Sequence, residues 1–234
     1  MPLAHRAMKA HNCAMKMLCR LMPVLMPILL IAGGVPALAG DSVAGRYRLD
    51  GDHDAAGELL LRADGRFEYA LAYGALDEHA QGRWARRGEG VVLTTEPKPV
   101  PPLFRMAARS KPAAGAPTLR VSWPDGRGVA GVDFRIGFDT GDPVTDYTQD
   151  IGWTLPAEDH RVPRWIELVE PIYGIVSPRY PIDTTTRGTL NFVIVPNDIG
   201  VVDFSGMAVD VQPDRLIIHR GQGEMRFVRQ SGAP

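Results

Sequence analysis

From Val43 to Thr95 apolar and polar side chains alternate at every second position, segment after segment, and this period commits the chain to strands with one buried face. Val43, Gly45, Tyr47 and Leu49 share one face, while Arg46, Arg48 and Asp50 take the other. Leu59 and Leu61 follow. The turn signal Asp64-Gly65 then leads into Phe67, Tyr69, Leu71 and Tyr73 facing inward, with Arg66, Glu68, Ala70 and Ala72 outward. Ala80, Gly82 and Trp84 form a further inward set against His79, Gln81 and Arg83, and Val91 and Leu93 continue it after a turn over 87–90. The 25 Gly and 20 Pro of the 234 residues favour such short elements joined by turns. The spacing predicts five short strands in an antiparallel meander.

Five strands do not close a barrel, so their edges need cover from elsewhere in the chain. Residues 96–117 carry Pro97, Pro99, Pro101, Pro102, Pro112 and Pro117 and read as a proline-rich linker. Alternation resumes at Leu119, Val121 and Trp123, turns at Pro124-Asp125-Gly126, and returns with Val132, Phe134, Ile136 and Phe138. Weaker strands are expected at 148–155, 165–169 and 190–195, with proline-marked breaks between them, which fits a β-sandwich over 118–199. From about residue 200 the short-strand, tight-turn pattern of the first unit comes back, through Met207, Val209 and Val211, then 216–219, then Met225 and Phe227. The fold class read from the sequence is therefore all-β. A meander or partly closed barrel is built from 40–95 and 200–234, with the sandwich inserted between them; a tandem of two domains is the alternative.

Residues 1–39 read as a secretory signal. Arg6, Lys9, Lys16 and Arg20 precede an apolar run from Leu21 to Ala32, and Ala37 and Ala39 supply the small residues of a cleavage site. Met15 is read as the translation start. The run holds two prolines and is roughly 12 residues long, against the roughly 20 that a membrane-crossing helix needs, so no transmembrane segment is expected. Cys13 and Cys19 both fall in the signal, which leaves no thiol for disulfides, catalysis or metal binding after cleavage. The mature chain then has 22 Lys and Arg against 27 Asp and Glu, a formal charge of −5. With no basic run, nucleic acid is excluded as an expected partner. The expected location is the periplasm or the medium.

Two resemblances accompany this reading. Through Gly45-Arg46-Tyr47, the stretch from Leu59 to Phe67, Gly82-Arg83-Trp84 and Val91-Val92-Leu93, the first unit resembles the lipocalin-like meanders of exported bacterial proteins. It lacks the glycine-x-tryptophan pair of true lipocalins, having Gly45 and Tyr47 instead, so their calyx and ligands are not carried over. The second unit is similar to carboxypeptidase regulatory-like, or transthyretin-like, sandwiches through the stretches from Pro124 to Val132 and from Thr148 to Leu155. That resemblance implies a fold and no catalysis.

Candidate chemistry is sparse. Asp52-His53-Asp54 and Asp77-Glu78-His79 set imidazole beside carboxylates, but both are expected in solvated turns, where Asp is common for local hydrogen bonding, and on a strand end sequence neighbours point to opposite faces. Asp139, Asp142, Asp146 and Asp150 lack the alternate spacing of a calcium loop. Arg46, Arg48, Arg83 and Arg226 read as a solvated outer face. Tyr47, Phe67, Tyr69, Tyr73 and Trp84 are the candidate lining of a cavity for a small apolar ligand. No metal site, cofactor or catalytic residue is expected. The functional expectation is an exported, non-catalytic binding or interaction protein of the bacterial envelope, its partner a small apolar ligand or an envelope protein. The alternative is an envelope hydrolase using Asp77, Glu78 or His79 at a barrel mouth.

Overall fold

Turn chemistry sets the local structure of the first unit. Asp64 accepts a hydrogen bond from the Arg66 amide at 3.0 Å, and Gly65 adopts φ 82°, so the chain reverses within two residues and its flanks can pair. The computed structural model describes residues 42–51, 54–111, 113–221 and 223–231. The signal segment 1–39 and the pair Asp52-His53 lie outside the described residues. Strands β1 (Gly45–Leu49), β2 (Ala55–Leu61), β3 (Arg66–Tyr73), β4 (Leu76–Arg87) and β5 (Gly90–Thr95) follow one another as antiparallel neighbours.

The next strand, β6 (Leu103–Met106), lies within the stretch expected to be linker alone. It sits at a sheet edge with β13 (Leu190–Val195) as its partner, and at an edge the flanking prolines remove no ladder bond. On the other side of β13, β7 (Leu119–Ser122) pairs in parallel. A second sheet contains β8 (Asp133–Phe138), β9 (Val144–Tyr147), β10 (Pro163–Glu170), β11 (Ile175–Val176) and β12 (Tyr180–Pro181), in the order β11-β10-β8-β9 with β12 also on β10. Phe134, Ile136, Ile166 and Leu168 from this sheet meet Leu119, Val121, Phe192 and Ile194 from the other in one buried core. The expected strand over 148–155 is a turn instead. The Asp150 carboxylate accepts the Ile151 amide at 2.8 Å, and only Trp153 bridges to a strand, at Leu119. Local side-chain capping by Asp150 and the positive φ of Gly152 outweigh the β-branched pattern there.

After this insert the chain returns in β14 (Ser205–Val211), β15 (Arg215–Arg220) and β16 (Gly223–Arg229). β14 pairs with β5 and β16 pairs with β1, so eight antiparallel strands close in the order β1-β16-β15-β14-β5-β4-β3-β2. Neither edge of the meander is left open. At eight strands a barrel interior is just wide enough for side chains to fill, and here Tyr47, Leu59, Phe67, Leu93, Leu216 and Phe227 fill it with almost no exposure. The protein is thus all-β, a closed barrel with separate additional sheets. Among the described residues no helix is long and apolar enough to cross a membrane.

One buried ring comes from outside the alternation. Phe204 precedes β14, and Gly206 at φ 74° together with a register shift between Ser205 and Met207 turns its ring into the barrel. There it lies 5.1 Å from Tyr69, edge-on, and 5.9 Å from Phe67. Truncating Phe227, which packs on the other side of Tyr69 at 6.2 Å, removes a fully buried ring. Phe227→Ala is expected to lower stability by about 3–5 kcal/mol in denaturant titration, with β1 to β5 lost in the same transition as β14 to β16.

Candidate binding cleft at the barrel rim

The inward faces of β4 and β15 are apolar until they near one end of the barrel. On β4 the positions of inward parity run Trp84, Gly82, Ala80, Glu78 and, at the first residue of the strand, Leu76; on β15 they run Leu216, Ile218, Arg220. Alternation therefore delivers a carboxylate and a guanidinium to the same rim. They meet there. Arg220 donates from Nη2 to Glu78 Oε1 at 2.7 Å and from Nη1 to Oε2, and the Tyr69 hydroxyl donates to Oε2 at 3.3 Å. The Glu78 side chain is 10% exposed and that of Arg220 36%. The bidentate carboxylate raises the Arg220 pKa, while burial, helped by the negative Glu78 beside it, pushes the Tyr69 phenol up. Both groups are thereby held in their protonated forms.

The segment returning from the insert crosses this rim as a strap. His79 donates its amide to Gly200 O at 2.8 Å and accepts from the Val202 amide at 2.9 Å. Thr95 then fastens the strap from β5: its hydroxyl donates to Val202 O at 2.8 Å and accepts the Phe204 amide at 2.9 Å. Facing the strap are the β10–β11 turn and the approach to β6. The buried Glu170 carboxylate shapes that turn by accepting the Ile172 and Tyr173 amides at 3.2 and 2.9 Å. Between barrel, strap and insert lies a cleft of about 490 Å³. Leu76, Met207 and Val202 line one wall and Pro102, Ile172 and Tyr173 the other, with Glu78 and Arg220 at the base and Asp198 and Asp203 also contributing. This size falls within the usual span for small-molecule sites, and the lining mixes apolar side chains with an at least equal share of polar surface.

The residues singled out in the sequence divide between places. Tyr47, Phe67 and Tyr69 are buried in the barrel core, where their neighbours are other side chains, Phe204 and Phe227 among them. Tyr73 does not face inward with them: it is 53% exposed, because β3 ends beyond the rim, and it borders a second rim groove with Leu49, Leu71 and Met225. Trp84 lies six residues along β4 from Glu78, is partly buried, and donates its indole N–H to Arg62 O at 2.8 Å. Asp77, Glu78 and His79 do not converge. Asp77 and His79 stand exposed on the outer wall while Glu78 alone points in, as consecutive strand positions require. The arginines of the outer face are largely paired: Arg46 with Glu58, Arg83 with Glu96 at 2.9 Å and Arg226 with Glu224 at 2.9 Å. Asp146 of the acidic stretch accepts the Trp153 indole N–H at 2.8 Å. Among the described residues no group of three His, Cys, Asp or Glu is placed to hold a metal ion.

Arg220, Phe204, Tyr173 and Asp203 were not singled out in the sequence. Arg220 had a signal, since it shares the alternation of Leu216 and Ile218 and so belongs inside. Phe204 had none, because a bulge rather than a period aims it. The chain matches no protein-family model, curated protein or solved structure.

The rim pair has a defined signature in a mutant cycle. Glu78→Ala leaves Arg220 without its partner and is expected to cost about 1–3 kcal/mol, less than the 3–5 of fully buried pairs because Arg220 is partly solvated. Glu78→Leu with Arg220→Met should restore most of that loss in the same titration.

Proposed function

We propose that this protein is an exported, non-catalytic binding module of the bacterial envelope, periplasmic or secreted, that recognises its ligand in the rim cleft. The single observation carrying this reading is the contrast between a barrel core filled by its own aromatic side chains and a cleft left open beside it, based on a charged pair. A preformed concavity of this kind works by recognition. Glu78 is engaged in the bidentate pair with Arg220, and its sequence neighbours Asp77 and His79 point away from it, which weighs against the reading as a hydrolase. Export is supported by the basic, apolar and small-residue succession over 1–39. The resemblance of 45–93 to lipocalin-like meanders and of the insert to transthyretin-like sandwiches supports the same class of exported β-proteins, with the difference that the aromatic residues of the barrel act as core.

The test is native mass spectrometry of the protein purified from its own envelope fraction, beside an Ile172→Arg variant. Ile172 is 44% exposed on the cleft wall, so the substitution obstructs the cleft without opening a core. A mature chain starting at Gly40 with a bound species that Ile172→Arg loses is the expected result. A species retained by the variant, or a terminus that keeps the apolar run, would overturn the reading.

A further inference from the structure

We propose that the rim cleft is built for a cation: an ammonium group carried on a short apolar chain. This rests on the cleft being the binding site and adds the chemistry of what it takes. The charges around the cleft do not balance. Glu78, Asp198 and Asp203 line it, and Arg220 is the one cationic side chain lining it among the described residues. Both terminal nitrogens of Arg220 are engaged by Glu78, so the guanidinium is neutralised where it stands and presents no free fork to an anion. Asp198 uses Oδ2 for the Val100 amide at 2.8 Å. The Asp203 carboxylate is exposed at the mouth and has no ion-pair or side-chain hydrogen-bond partner among the described residues. One pair cancels and two carboxylates remain.

Tyr173, Ile172, Pro102, Met207 and Leu76 give the cleft apolar surface beside its charged groups. Tyr173 is partly buried, and an aromatic face attracts an ammonium ion as well as a methylene chain. A ligand that satisfies both halves has a positive head for Asp203 and Asp198 and an apolar stem for the wall. A fatty acid or a phosphate satisfies neither the charge nor the engaged arginine.

The experiment follows amide chemical shifts of the isotopically labelled protein during titration with n-hexylamine, hexanoate and hexan-1-ol, three probes with the same stem and different heads. Hexylamine is expected to shift the amides of 172–174 and 200–203, to bind tighter than hexanol, and to weaken as salt is added. Asp203→Asn should lower its affinity about threefold to fivefold, the range for one solvated charge pair, without altering the rest of the spectrum. Glu78→Gln keeps the shape of the base but frees Arg220, so it should strengthen hexanoate relative to hexylamine. N-acetyl-lysine methylamide separates the sources: binding comparable to hexylamine extends the site to a lysine side chain on a partner protein, and its exclusion assigns the site to free amines. A cleft that prefers hexanoate, or an affinity unchanged in Asp203→Asn, overturns the cationic assignment while leaving the cleft a binding site. If no probe shifts 172–174 or 200–203, the binding-site reading falls together with it.

Discussion

Closure of the barrel by strands from the far end of the chain is the constraint on which the rest of the structure depends. The meander β1 to β5 has two free edges, and edges that long pair with whatever is available. Here β16 takes one, through Tyr47 opposite Arg229, and β14 takes the other, through Val91 opposite Val209. The inward faces of all eight strands then share one core, so Phe227 from the tail and Tyr69 from the meander belong to a single unit of packing. Because the closing contacts lie more than a hundred residues apart in sequence, forming them carries the closure entropy of the chain between them. The insert that fills this loop has its own core and so reduces the freedom of the connection.

The same closure places the cleft. β5 ends and β14 begins at one rim, so the insert emerges there and its return strap must cross the barrel mouth. His79 and Thr95 fix the strap by five hydrogen bonds, three between backbone groups and two through the Thr95 hydroxyl, and Phe204 follows into the core. The strap is therefore held at both levels, by hydrogen bonding above the rim and by ring packing below it. Glu78 and Arg220 occupy an inward rung close to the rim, where full burial of a charge pair would be costly and full exposure would leave it weak. Partial cover gives the cleft a polar base that remains in one geometry.

Much of this architecture was legible in the residues, and for a physical reason. Period-2 alternation reports which face of a strand is buried, and it placed Tyr47, Phe67, Tyr69 and Ala80 inside; Asp64-Gly65 marked the hairpin between β2 and β3. The signal fails at strand ends, where alternation continues after the barrel has stopped. Tyr73 keeps the inward parity of β3 and yet stands in solvent. It also fails where side-chain capping competes with strand propensity, as at Asp150, and where an edge strand tolerates prolines, as at Leu103–Met106. The cleft was the least legible feature. Its lining comes from β4, β14, β15, the strap and the β10–β11 turn, segments that no local pattern relates. Glu78 drew notice for its neighbours Asp77 and His79, but its partner proved to be Arg220, 142 residues away.

If residues 45–95 and 205–229 form one cooperative unit, native-state amide hydrogen exchange will show it. The slowest amides of β1 and β5, at the seams, are expected to share one opening free energy with those of β14, β15 and β16, equal to the stability of the barrel as a whole. A single cooperative unit would be contradicted by two separate values, with β14 to β16 opening well below the meander while β1 and β5 keep their protection.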